Sequence, residues 1–391
     1  MTRRSIDQFS QDYSAQSAAP RPRQDHWTPG VDWDGRTGEL RTGPLTSRPD
    51  TWDEILRSRG LDPEEVEVVE PVRFRSWDAH DGTQLHHYSL TLISRSSRQD
   101  REDIALVLSR VRRKKARPTV SNGDGGRAFV MCASDWQLGK GEGGGSIAAV
   151  DRIVDGIADA RQRVRKMRPA TAVIACLGDL VEGCSDHYPM QTFQTDADIR
   201  EQERLVRRLL LLAVDELSPY CEQLVVAAVP GNHGERRRGG KAFTTFTDNA
   251  DLSTVETVAD ICKANPGAYG HVSFALAGEL TLTLEVAGVV LGLAHGHQRR
   301  RGDMSTWWAG QALGRRPVGD ADILLTGHLH HLIVDESSGR THIQVPAMDG
   351  GSQWFAESSG KSSPAGMLTL GIGTAYGARG WGDLWVTTHS T

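Results

Sequence analysis

The sequence predicts an α/β fold: two sheets packed together with helices outside, a four-layer α/β/β/α sandwich. Three observations predict it. From Ala128 to Ala264, short apolar runs alternate with amphipathic stretches of helical period, as strands and helices do in turn. From Val272 onward, short apolar runs follow one another with little helix between them. The central runs, such as Thr171 to Leu177, are β-branched and uninterrupted, which suits strands buried on both faces.

The elements follow in order. Residues 1–45 are rich in Ser, Arg, Pro, Gly and Asp without an apolar period, and read as disordered or draped over the surface, pinned by Trp27 and Trp33. Residues 46–95 read as a small α+β accessory domain. Thr51-Trp52-Asp53-Glu54 has capping-box spacing ahead of Ile55-Leu56, so a short helix starts there. Val66 to Arg75 and His87 to Ile93 read as strands joined by a turn at Asp81-Gly82. Residues 96–127 carry a basic run from Arg110 to Arg117, then the Gly-rich stretch Ser121 to Gly126, and read as a linker.

Residues 128–391 form the main domain. Ala128 to Ala133, Thr171 to Leu177 and Leu224 to Val229 are its first strands. Ser146 to Met167 is a helix with Ile147, Val150, Ile153, Val154 and Ile157 on one side. Asp196 to Leu217 and Asp251 to Ala264 are the next helices. Strands then dominate from Val272 to Val386.

The bulk numbers limit the function classes. The chain has 391 residues, a net charge of -5, 38% hydrophobic and 24% charged residues, which describes a soluble globular protein. The charge excludes a generally basic nucleic-acid coat protein but permits a local basic patch. Five cysteines lack framework spacing, and read as buried free thiols of a reducing cytoplasm. No apolar run reaches the ~18 residues of a membrane span. Residues 1–16 lack the apolar region of a signal peptide. The expected location is therefore cytoplasmic, without a membrane partner.

Each strand of the main domain ends in a polar cluster. The first ends in Ser134-Asp135-Trp136-Gln137, the second in Gly178-Asp179-Leu180-Val181-Glu182, and the third in Pro230-Gly231-Asn232-His233-Gly234-Glu235. Later come His295-Gly296-His297 and Gly327-His328-Leu329-His330-His331. Oxygen and imidazole donors of this kind suit Mn, Fe, Zn and similar ions. In His-x-His on an extended segment both rings share a face, so one ion takes both or two ions take one each.

This set resembles the calcineurin-like metallophosphoesterases, whose pattern is Asp-x-His, Gly-Asp-x-x-(Asp/Glu), Gly-Asn-His-(Asp/Glu), a later His-Gly, and Gly-His-x-His. The resemblance covers about residues 128–350. It implies two divalent ions, Mn2+ above Fe, Zn or Mg. One would be held by Asp135, Gln137, Asp179 and His330, the other by Asp179, Asn232, His295 and His328, with Asp179 as the bridge. His233 would be the catalytic imidazole that assists a metal-activated water. Ions about 4 Å apart can clamp a phosphate and stabilise its transition-state charge. Two departures stand out. Gln137 occupies the place where His is usual, which implies a weaker, more Mn-like first site or one partly empty. The acid of the third motif comes one place late, so Glu235 takes no role, while Glu182 fits its motif as a support and not a ligand.

Basic runs follow two of the motifs: Arg236, Arg237 and Arg238, then Arg299, Arg300 and Arg301. Beside a metal centre they suit a polyanion such as a nucleic-acid backbone. Trp307, Trp308 and Trp354 lie nearby, to stack bases or to pack against neighbouring loops. Within the family the chain looks most like SbcD-type DNA-repair nucleases and their phage-encoded relatives, which implies DNA as substrate, an SbcC-like ATPase partner, and a homodimer as a further option. Three readings stay open: a DNA nuclease, a phosphohydrolase of small substrates (nucleotide, cyclic nucleotide or phosphoprotein), and a non-catalytic binding or scaffold protein with a degraded first metal site.

Overall fold

Leu40, Leu56, Val66, Tyr88, Leu90 and Leu92 gather into one apolar cluster, and the N-terminal elements form around it. These coordinates are a computed structural model describing residues 28–35, 37–94, 106–117, 120, 123–184, 187–188, 191, 194–298, 304–351, 357 and 362–389. The chain divides into two compact units, Met1–Ser109 and Arg110–Thr391.

The first unit holds strands β1 (Gly30–Trp33), β2 (Thr37–Arg41), β3 (Val66–Asp78) and β4 (Gln84–Ser94), with helix α1 (Asp53–Ser58). The sheet is antiparallel, in the order β1-β2-β4-β3. Within the stretch 1–45 expected to be disordered or draped over the surface, residues 30–33 and 37–41 form β1 and β2, while residues 1–27 lie outside the described residues. Leu40 is fully buried and Trp33 packs on the same cluster. Two apolar anchors and backbone pairing to β4 suffice where no apolar period exists. The capping box does not form either: Trp52, not Thr51, is the N-cap of α1, and no side chain caps it.

The second unit contains strands β5 (Asp124–Ala133), β6 (Pro169–Cys176), β7 (Gln223–Ala228), β8 (Arg237–Arg238), β9 (Lys241–Ala242), β10 (Val272–Leu276), β11 (Thr281–Val286), β12 (Val289–Ala294), β13 (Ile323–Thr326), β14 (Ile333–Ser337), β15 (Arg340–Gln344), β16 (Ala365–Ile372) and β17 (Trp381–His389). Its helices are α2 (Gly145–Met167), α3 (Ile199–Leu217), α4 (Ala250–Lys263), α5 (Pro266–Tyr269) and α6 (Met304–Leu313). One sheet runs β10-β7-β6-β5-β16-β17 and another β11-β12-β13-β15-β14. β5, β6, β7 and β10 are parallel, as are β12, β13 and β15. Parallel strands put their carboxyl ends at one edge, where open α/β sheets place ligands.

The two sheets share one core. Val130, Cys132, Val173 and Ala175 of one meet Leu291, Leu293, Ile323 and Leu325 of the other. Burying each of the larger side chains contributes roughly 1.5–3 kcal/mol. α2 packs on β5, β16 and β17, α3 on β6, and α4 on β7 and β10. Trp308 of α6 joins Val318, Ala321, Ala294 and Leu324 in a separate cluster.

Two details differ from the sequence reading. α2 buries Ala149, Ile153, Gly156, Ile157, Ala160 and Val164, while Ile147 is 80% exposed. The small residues face inward because the helix lies close to its neighbours: a Cβ on Gly156 would meet the Met367 side chain at 2.9 Å. The expected linker is also packed. Residues 106–113 are helical, and Val111 is buried. Lys114 pairs with Asp215, and Arg117 donates to the Cys221 carbonyl at 2.7 Å. No helix among the described residues is long and apolar enough to cross a membrane. The five cysteines are free.

Candidate metal centre

The strand ends converge. Asp135 follows β5, Asp179 follows β6, Asn232 and His233 follow β7, His295 follows β12, and His328 and His330 follow β13. Close backbone approach allows it. Gly178 has φ +89, and a Cβ there would meet Gly231 Cα at 2.6 Å; only glycine takes both conditions freely. The loops are strained as well. Among the described residues, ten non-glycine residues have positive φ, and five of them are Asp135, Gln137, Asp179, His328 and His330. Such conformations cost of order 1–3 kcal/mol each and gather where function holds them.

Asp179, His295 and His328 can each offer an atom such that all three lie within 4.8 Å of one another. Asp179 Oδ2, His295 Nε2 and Asn232 Oδ1 are buried with no hydrogen-bond partner among the described residues. Buried polar atoms rarely stay unpaired. A buried Asn232 Oδ1 without a partner, beside an Asp179 Oδ2–His295 Nε2 contact of 2.8 Å that makes no aligned hydrogen bond, is what a cation would satisfy, so this set fits a divalent ion. The rest of each side chain is anchored. His295 Nδ1 lies 2.7 Å from the Leu177 carbonyl, and Asp179 Oδ1 accepts from the His233 N–H at 2.8 Å.

The other expected set is arranged differently. Asp135 is buried and accepts from Ser134 Oγ at 2.5 Å and from the His328 N–H at 3.0 Å. His330 Nε2 lies 3.3 Å from Asp135 Oδ1, and its Nδ1 lies 3.3 Å from Asp349 Oδ1. Gln137 Oε1 faces the Lys140 ammonium at 3.3 Å, and its Nε2 lies 3.4 Å from His233 Nε2.

His233 is clamped by Glu182, with Nδ1 3.0 Å from its carbonyl and 3.2 Å from Oε2. Burial pulls its pKa down, but the Asp179 charge and the Glu182 contacts outweigh that and raise it to about 9. Burial drives His328 and His187 the other way, to about 4.

Several residues escaped the sequence reading. His187 packs against His233 with ring centroids 4.3 Å apart and planes tilted by 42°, and its Nε2 lies 3.0 Å from Asn232 Nδ2. Asp251 accepts from the backbone N–H groups of Asp179, Leu180 and Gly231 at 2.9, 2.9 and 3.0 Å. Asp349 pairs with Lys140. A signal existed only for Asp251, two places after the Asn249 that caps α4.

The basic and aromatic expectations fare unevenly. Arg236 lies 3.6 Å from Asp248 and 3.9 Å from Glu203. Arg237 pairs with Glu235 at 2.5 Å and is mostly buried. Arg238 is exposed. Arg299, Arg300, Arg301 and Trp354 lie outside the described residues. Trp307 and Trp308 belong to helix α6, not to a polar loop. Trp308 is buried and donates to the Val318 carbonyl at 2.7 Å, so its ring packs against the protein.

No family profile and no curated protein matches the chain. Solved structures similar to it include Vacuolar Protein Sorting 29 from Cryptosporidium parvum, at 15% identity, covering 68% of this chain and 92% of that one, with a TM-score of 0.34. A novel archaeal phosphodiesterase is 12% identical over 66% of this chain and 99% of its own, with a TM-score of 0.31. A predicted phosphoesterase from Streptococcus pneumoniae is 12% identical over 63% and 83%, with a TM-score of 0.28. At such values the site's own chemistry carries the functional reading.

Proposed function

We propose that the protein is a metal-dependent phosphoesterase of the calcineurin-like type, with the two-sheet unit as its four-layer sandwich, and that it cleaves phosphodiesters. The observation that carries this is the set of orphaned buried donors on Asp179, Asn232 and His295, beside His328. An ion held there would supply Lewis-acid polarisation of a phosphoryl oxygen and activation of a water. His233 stands at the edge of that set, oriented by Glu182, and is placed to give a proton to the leaving oxygen. Mn2+ suits the mixed oxygen and nitrogen donors.

DNA is the substrate we favour. After His233 the chain forms the hairpin of β8 and β9, with Gly239 and Gly240 at its tip in positive φ. Arg238 and Lys241 are exposed on it, and Phe243 and Phe246 just beyond are 63% and 54% exposed. Cations beside exposed aromatic rings suit a single strand, whose phosphates and bases they contact. A second reading, a small phosphoester substrate, is favoured by the ion pairs that already occupy Arg236 and Arg237.

The test is a divalent-ion panel against labelled single- and double-stranded DNA beside a generic diester. Mn-dependent DNA cleavage that weakens with salt supports the nuclease. Cleavage of the small diester alone selects the second reading, and no hydrolysis with any ion removes both.

A further inference from the structure

Gln137, expected to hold a first ion, already faces a cation from the protein itself. Lys140 is fixed by its own N–H, which donates to the Gln137 carbonyl at 3.0 Å, and by a bridge to Thr195. Its ammonium donates to Gln137 Oε1 at 3.3 Å and pairs with Asp349. The pair is enclosed, with side chains 13% and 4% exposed. The other Asp349 oxygen lies 3.3 Å from His330 Nδ1, and His330 Nε2 lies 3.3 Å from Asp135 Oδ1. Gln137, Lys140, Asp349, His330 and Asp135 thus form one chain of contacts running through Lys140. Among the described residues, the close trio of metal-type donors is Asp179–His295–His328, and it includes neither Asp135 nor His330.

The amide at 137 matters to this arrangement. A histidine there would present a nitrogen lone pair to an ion. The neutral amide oxygen of Gln137 instead accepts a hydrogen bond from an ammonium. A divalent ion at the same place would meet that ammonium at short range, in a poorly solvated pocket where like charges repel strongly.

We propose that the Lys140 ammonium takes the place of the first ion, so that the centre holds one divalent ion per chain. This rests on the reading that Asp179, Asn232, His295 and His328 hold an ion. Lys140 then supplies a fixed positive charge on the side of the site that a second ion would occupy, where it can face a phosphoryl oxygen.

The experiment is metal stoichiometry on the full chain, by elemental analysis and by calorimetric titration with Mn2+. It compares wild type, Lys140→Met and the double variant Gln137→His with Lys140→Met, each checked for folding by circular dichroism. The expected result is one ion in wild type and two in the double variant. Two ions of comparable affinity in wild type overturn the proposal and leave the phosphoesterase reading intact. A folded double variant that still binds one ion removes Lys140 and Gln137 as the cause. No ion bound by wild type removes the metal reading, and this proposal with it.

Discussion

His295 Nε2 stands 2.8 Å from Asp179 Oδ2, and neither atom finds a well-aligned hydrogen bond among the described residues. Without an ion the pair is an ionic contact. Burial pulls the His295 pKa down, but the Asp179 charge outweighs it and lifts it to about 9. A metal needs the neutral ring, so binding an ion displaces a proton. Affinity should therefore rise as pH climbs toward 9. Asp179→Asn should weaken Mn2+ binding by at least about 100-fold, more than loss of a supporting partner costs. Calorimetry at pH 7 and pH 8.5 checks both, and unchanged affinity in the variant would place the ion elsewhere.

His233→Ala should keep the ion and lose turnover. Removing a positioned proton donor costs typically 10²–10⁴-fold in rate. Elemental analysis together with single-turnover cleavage separates the two effects. Wild-type rates in this variant would take His233 out of the mechanism.

Asp251 holds the backbone under the site. Its carboxylate accepts from four N–H groups, of Asp179, Leu180, Val181 and Gly231, in the loops carrying Asp179 and Asn232. Burial, then the Asp179 charge, raises its pKa to about 6. Asp251→Ala should destabilise the protein by about 3–5 kcal/mol, since it leaves buried donors unpaired, and should weaken the ion as the loops relax. Urea unfolding of the metal-free protein isolates the first effect. A loss below about 1 kcal/mol would show that the loops hold without it.

His342 offers a pH test away from the metal. It is buried on β15, with Nε2 2.9 Å from Thr326 Oγ1, and burial pulls its pKa down to about 4. A depressed histidine contributes stability that is complete above its unfolded pKa near 6.5 and is lost as pH falls toward 4. The full span is roughly 3 kcal/mol. His342→Gln should flatten that part of the stability curve between pH 7 and pH 4. A slope identical to wild type would contradict it.

Trp308 and Phe246 should separate packing from binding. Trp308→Ala should cost about 3–5 kcal/mol of stability and leave DNA affinity alone in the folded fraction. Phe246→Ala should leave stability within about 0.5 kcal/mol and weaken single-strand binding by roughly 1–3 kcal/mol. Fluorescence anisotropy reads the second, and the opposite pattern would restore the tryptophans as stacking platforms.

The central strands of the larger unit were legible because they are uninterrupted apolar runs, and Thr171 to Cys176 lies in β6 almost as read. Strand ends carry the polar clusters, so Asp179, His295 and His328 were visible too. What sequence could not show depended on distance in space. Lys140 and Asp349 are 209 residues apart in sequence and meet only through the fold. Leu40 pairs β2 into a sheet with no periodic signal around it. Trp308 resembled a loop aromatic until helix α6 turned it inward.

The most direct test of the central claim is hydrolysis of a generic phosphodiester by protein stripped with chelator and reloaded with Mn2+, in wild type and in Asp179→Asn. No turnover is expected after stripping, full recovery on reloading wild type, and none on reloading the variant. Turnover that survives chelation, or that Mn2+ restores equally in Asp179→Asn, would contradict it.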